Sequence, residues 1–388
     1  MRAAWLVLLV FGSACQRGEP GAPVVLDTGA TVDTLGSEVA PSIDGLEEML
    51  EPVRSANGLP ALAGAVFSSD ALLAIGAVGV RKHGDPTPVT RDDVFHLGSD
   101  TKAMTATLLA LHVAETRISW STRLSSAFPE AMDAAYRDVS IEQLLQHRGG
   151  APANVPADLW TEMWKVGDPR TQRRAAVIGM LQRPPETPPG TAFVYANAGY
   201  MMAGAALEDA VGESWESLMK KRLFSPLGMK SCDFGAPATA GLVDQPWGHV
   251  LKSGTPSPIA PGPGADNPPS LGPAGTVKCG LVDWGKFLQL HLRGARGEAT
   301  TLLDPASFAR MQTPPSGGDY AFGWGVTTRS WASGAVLTHS GSNTMFFVTV
   351  WIAPKKNRIF VAATNLGGDG AAKGVDAAFG PMIEKYAK

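Results

Sequence analysis

The sequence predicts a mixed α/β (α+β) fold in which a sheet domain is interrupted by a helical insertion. Short apolar or alternating runs, the mark of strands, gather near the start (61–67, 71–80) and again near the end (321–326, 335–339, 345–353, 358–364). Helix-period segments fill the middle and close the chain, and strands, then helices, then strands is the order such an insertion produces. The connections are rich in Gly (44) and Pro (30), while 44% hydrophobic residues in a chain of 388 supply a sizeable core. Charged residues are 18% and the formal net charge is -3, so no basic field points to nucleic acid. The expected partner is a small molecule or a short peptide.

Taken in order, the chain opens as an export signal over 1–14: Arg2, an apolar run, then Gly12-Ser13-Ala14 before Cys15. Small residues directly before a cysteine resemble a bacterial lipobox, which makes Cys15 the expected lipid anchor and the cell envelope or periplasm the expected location. Gly12 departs from that pattern, where leucine is usual. Residues 15–40 lack a hydrophobic period and read as a flexible tether. The catalytic domain is expected over 41–388, with its sheet part near 41–98 and 275–388 and the insertion near 99–274. Within it, 41–53 has helical spacing, 61–67 and 71–80 suggest a hairpin, and 171–181 and 199–207 read as helices. Two stretches read as true loops: 151–170, carrying Trp160 and Trp164, and 255–273, with seven prolines. Residues 281–292 form an amphipathic helix, and 373–386 a closing one. Cys232 and Cys279 lack metal spacing, and the sequence leaves open whether they pair.

The chemistry starts at Ser99-Asp100-Thr101-Lys102, which runs into a segment apolar at almost every helical position, hence a buried helix. Ser99 and Lys102 project from one face, one turn apart. A lysine near the positive end of a helix dipole and partly desolvated is pushed toward its neutral form, and can act as a base toward its serine. Alone, S-x-x-K reads better as a serine cap with a surface lysine in the first turn, so the rest of the chain must decide. Two further motifs supply partners. Tyr195 and Asn197 stand in a turn before a helix, where a phenol and an amide can aim at one cleft. Later, His339-Ser340-Gly341-Ser342 ends a strand, and Gly341 would let a substrate lie close along that edge. Other motifs fail: no serine lies in G-x-S-x-G, no histidines have zinc spacing, and the P-loop-like stretch at 280–287 carries Phe287 where Ser or Thr should hold magnesium. No cofactor or metal is expected.

S-x-x-K, Y-x-N and H-x-G in this order resemble the serine β-lactamase and penicillin-binding-protein superfamily, in its class C-like branch. Connecting segments match too: Leu144-Leu145-Gln146-His147, Pro226-Leu227-Gly228-Met229, Pro273-Ala274-Gly275 and Phe322-Gly323-Trp324-Gly325. The resemblance implies a β-lactamase/transpeptidase-like three-layer αβα fold with an antiparallel sheet. It implies Ser99 as nucleophile of a covalent acyl-enzyme, with Lys102 and Tyr195 sharing general-base and general-acid work, each lowering the other's pKa through a short contact. Which takes the first proton stays open. The Ser99 and Ser342 N–H groups would form an oxyanion hole, worth roughly 3 kcal/mol per donor in other serine hydrolases. Asn197 would hold a substrate amide or orient Lys102. His339 stands where many relatives carry lysine, and with an ordinary pKa of about 6.5 it offers no permanent cation. Esters and D-amino-acid amides or peptides are therefore favoured over efficient cephalosporin hydrolysis. A second departure is His147-Arg148-Gly149-Gly150, where His-Thr-Ser-Gly is usual. The alternative is a penicillin or muropeptide sensor that acylates without turnover, whose usual mark is loss of the tyrosine or lysine.

Overall fold

Two strands at the centre of the molecule are covered on both faces, and that sets the architecture. The computed structural model describes residues 43–130 and 132–388; the export signal, Cys15 and the tether lie outside the described residues. The twelve strands there are β1 (Asp44–Gly45), β2 (Ala61–Phe67), β3 (Leu72–Gly79), β4 (Val94–His96), β5 (Asp233–Phe234), β6 (Gly248–Lys252), β7 (Thr255–Ile259), β8 (Val277–Gly280), β9 (Gly325–Arg329), β10 (Gly334–Ser342), β11 (Phe347–Ala353) and β12 (Arg358–Thr364). The main sheet runs β1-β3-β2-β12-β11-β10-β9, antiparallel except where β1 meets β3. In β2 the side chains of Ala61, Ala63, Ala65 and Phe67 enter one core, and Leu62 and Val66 the other. β12 divides the same way, with Ile359, Val361 and Ala363 opposite Phe360 and Ala362. Burial on both faces is why these strands are near-continuous apolar runs.

Helices α1 (Glu47–Ala56) and α6 (Asp369–Tyr386) cover one face, while α2 (Thr101–Ala114), α3 (Pro169–Leu181), α4 (Asn197–Val211) and α5 (Leu281–Ala295) build the larger core with the other. This is a mixed α/β fold of three layers, as expected. A small sheet, β4-β8-β5, stands at the foot of α2, and its β8 strand carries Cys279, joined by a disulfide to Cys232.

Two loops, one strand and the first helix differ from expectation; the helix expected over 41–53 spans Glu47–Ala56, after the short strand β1. Residues 255–273 open with β7, which forms a hairpin with β6. Pro256 and Pro258 share one parity along β7, so their missing N–H groups leave the ladder to β6 intact on an edge strand. Residues 151–170 contain the helix Ala157–Met163, and Asp168 caps α3 by accepting from the Thr171 N–H. Trp160 and Trp164 meet edge-on at 6.1 Å there, Trp160 against the core and Trp164 exposed. The strand expected from 321 starts only at Gly325, because Ala321 N–H turns back onto the Trp324 carbonyl at 2.8 Å.

Candidate active site

After β4 the chain tightens into a single turn, Gly98–Asp100, and passes directly into α2. Residues Thr101 to His112 of that helix are all buried, so Ser99 stands at the mouth of a helix with no solvent face. Lys102 is 0% exposed. Its Nζ donates to Ser99 Oγ at 3.1 Å, to Asn197 Oδ1 at 2.8 Å and to the Ala274 carbonyl at 2.7 Å. Burial disfavours the ammonium and pulls Lys102 down to about 7, and the nearby Asp100 works against that pull.

Tyr195 arrives from the turn before α4. The lysine lies under its ring, 4.9 Å from the centroid, with Tyr200 at 5.6 Å. The expected short contact between Lys102 and the Tyr195 hydroxyl, each lowering the other's pKa, is replaced by this stacking, because the three donors of Nζ are committed elsewhere. Burial pushes the Tyr195 phenol up, and its contact with the Ser99 hydroxyl only partly offsets the push. The residue is 36% exposed toward the cleft, so water screens this effect until a substrate covers the ring. His147 holds the tyrosine's segment on both sides: its carbonyl accepts from the Val194 N–H at 2.9 Å and its Nδ1 from the Ala196 N–H at 3.0 Å. Its ring lies 4.3 Å from that of Tyr195. The Arg148 side chain, whose direction the sequence left open, lies beside Gly318.

The β10 edge closes the site. A Cβ on Gly98 would fall 2.3 Å from the Ser342 N, and one on Gly341 would fall 1.9 Å from the Leu97 carbonyl oxygen and 2.9 Å from the Ser99 N. Gly341 is therefore required by the contact between β10 and the Ser99 turn, rather than by room for substrate alone. This contact brings the Ser99 and Ser342 amides together. The Ser342 hydroxyl is spent inside its own turn, donating to the Phe346 carbonyl at 2.7 Å and accepting from the Thr344 N–H at 2.9 Å, which leaves the backbone as its contribution. His339 is buried, with Nε2 3.0 Å from the Tyr320 hydroxyl. Burial, helped by the charge of Lys102, drops its pKa to about 3, so the imidazole is neutral at ordinary pH.

All the residues singled out from the sequence among the described ones, Ser99, Lys102, Tyr195, Asn197, His339, Gly341 and Ser342, come to this one place. Three groups escaped that reading. Asp100 is a charged residue at the mouth of an apolar helix, a signal open to notice. Tyr320 precedes a segment flagged only as a connector. The Ala274 carbonyl lies in a flagged Pro-Ala-Gly turn, but sequence gives no sign that a backbone oxygen there meets Lys102.

Comparison with known proteins gives the family. The Beta-lactamase family model matches residues 46–379. Penicillin-binding protein 4 of Amycolatopsis lactamdurans is 29% identical over 333 residues, 83% of this chain and 84% of its own. An unguisins hydrolase of Aspergillus campestris is 26% identical over 72% of this chain, which spans only 54% of that relative's length. In fold, the chain is similar to a D-stereospecific amidohydrolase from Streptomyces sp., with TM-score 0.66 and 20% identity over 85% of this chain and 96% of that one. With its match to the family model running from the first sheet helix to the last, the chain belongs to the β-lactamase family and is a serine hydrolase of that family.

Proposed function

We propose that the protein is an exported hydrolase that acts through a covalent acyl-enzyme on Ser99. The observation that carries this is the Ser99 hydroxyl 3.1 Å from a buried lysine whose pKa is brought to about 7. Neutral Lys102 takes the serine proton as Oγ attacks a carbonyl carbon. The oxyanion that develops faces the Ser99 and Ser342 N–H groups. Tyr195, kept in its protonated form by its raised pKa, delivers a proton to the leaving group. Water then attacks the acyl carbonyl and gives a proton to the Tyr195 phenolate while Lys102 returns its proton to Ser99 Oγ, which releases the acid and restores all three groups. Asn197 orients Lys102 through Oδ1 and keeps its amide NH2 for the substrate.

The substrates of this reading are small esters, D-amino-acid amides or short peptides, and β-lactams as slow substrates. Its test is a turnover panel of nitrophenyl esters, D-alanyl amides, D-Ala-D-Ala peptides and nitrocefin, run on the protein and on Ser99→Ala. Steady turnover lost in Ser99→Ala supports it. Full activity in that variant overturns it, and a single-equivalent burst without turnover marks the chain as a sensor instead. Export and the lipid on Cys15 belong to the same proposal: Cys15→Ser should move the protein from the membrane to the soluble envelope fraction, and unchanged membrane association would contradict the anchor.

A further inference from the structure

Directly behind the nucleophile lies a buried carboxyl group that the chemistry above does not use. Asp100 follows Ser99 in the turn, is 2% exposed, and has no hydrogen-bond partner for either carboxyl oxygen among the described residues. Its Oδ1 is 4.0 Å from His339 Nδ1, which is also buried and without a hydrogen-bond partner among the described residues. The other ring nitrogen of His339 is taken by the Tyr320 hydroxyl at 3.0 Å. A Cβ on Gly341 would come within 2.7 Å of Asp100 Oδ2, so the carboxyl group lies against the backbone of the very strand edge along which a substrate must run. Buried polar groups left without partners are costly, and here acid and imidazole face each other.

We propose that Asp100 is a specificity-determining residue: paired with His339 under the β10 edge, it denies the cleft a cation and restricts the enzyme to acyl donors with no carboxylate beside the scissile carbonyl. The native restriction holds wherever the proton sits. A protonated acid beside a neutral imidazole and a carboxylate beside an imidazolium both sum to zero, and loss of the proton leaves the pair negative. Lys102 does not replace the missing cation, because all its donors are committed and its reactive form is neutral. A substrate carboxylate brought to this edge loses its hydration and meets no compensating charge. This inference rests on the acyl-transfer reading of Ser99 and adds the substrate class to it.

The test compares two thioesters of one N-acyl-D-alanine, one with thioglycolate as leaving group and one with thioglycolamide, followed by thiol release. Leaving a carboxylate unpaired is expected to lower kcat/KM for thioglycolate at least about tenfold relative to the amide. His339→Lys alone should change that ratio little, since the new ammonium pairs with Asp100, whereas the Asp100→Asn/His339→Lys double variant should favour thioglycolate. The ratio cancels any general loss of activity. Should the double variant fail to fold, the native ratio and His339→Lys alone still decide, since a preference for thioglycolate in His339→Lys alone overturns the inference. Equal kcat/KM for both substrates on the native protein, or a His339→Lys effect as large as the double variant's, overturns the inference while leaving the acyl-enzyme intact. No Ser99-dependent thiol release from either overturns the acyl-transfer reading and this inference together.

Discussion

At the scale of single residues, Lys102 governs the expected pH dependence. Its folded-state pKa is depressed to about 7. Below that value the ammonium form dominates and cannot accept the Ser99 proton, so kcat/KM should rise with pH through about 7 and fall away on the acid side. A pH profile with a neutral ester checks this, and an acid limb set near the ordinary lysine value would contradict it. On the alkaline side the Tyr195 phenol, once covered by substrate, keeps its proton, so kcat should persist beyond the usual tyrosine range. Tyr195→Phe removes that proton donor and should lower kcat by about 10²–10⁴, measured against a good leaving group and a poor one, the poor one suffering more. Ser99, Lys102, Tyr195, Asn197 and the 339–342 strand were legible because each sits in a short motif whose spacing is local. Asp100 and Tyr320 were not, because their importance comes from a contact with His339 that only the folded chain creates.

At the scale of elements, the site depends on β10 touching the Ser99 turn. Gly341→Ala would place a methyl group 1.9 Å from the Leu97 carbonyl oxygen and must push strand and turn apart. Loss of acylation together with a lower melting temperature is expected, read by burst amplitude and calorimetry. A second anchor holds the 255–273 segment. Arg173, fully buried, pairs with Glu208 and Glu216 and donates from Nε to the Ser270 carbonyl at 2.9 Å, just ahead of the turn whose Ala274 carbonyl receives Lys102. Arg173→Ala leaves the buried Glu208 carboxylate unpaired and should cost about 3–5 kcal/mol of stability, measured by denaturant unfolding. The same segment shows where element prediction stopped. Strands such as β2, β11 and β12 announce themselves by runs of apolar residues. β7 does not, since two prolines in five residues mimic a loop unless one knows the strand is paired on one side only.

At the scale of the whole molecule, a sheet buried on both faces by helices of the N- and C-terminal parts supports an insertion that carries Tyr195 and Asn197. The order of strands and helices made this architecture readable, because burial on two faces forces continuous apolar strands. The Cys232–Cys279 link was not readable, because 47 residues separate the two and only the small sheet brings them together. By loop-closure entropy such a link is worth about 4 kcal/mol, so Cys232→Ala/Cys279→Ala should unfold at clearly lower denaturant concentration. The most direct test of the account is peptide mass mapping of the protein quenched in acid during turnover of a slow ester. The acyl mass should appear on the peptide containing Ser99 and vanish in Ser99→Ala, whereas an acyl mass on any other residue, or turnover with no covalent adduct, would contradict it.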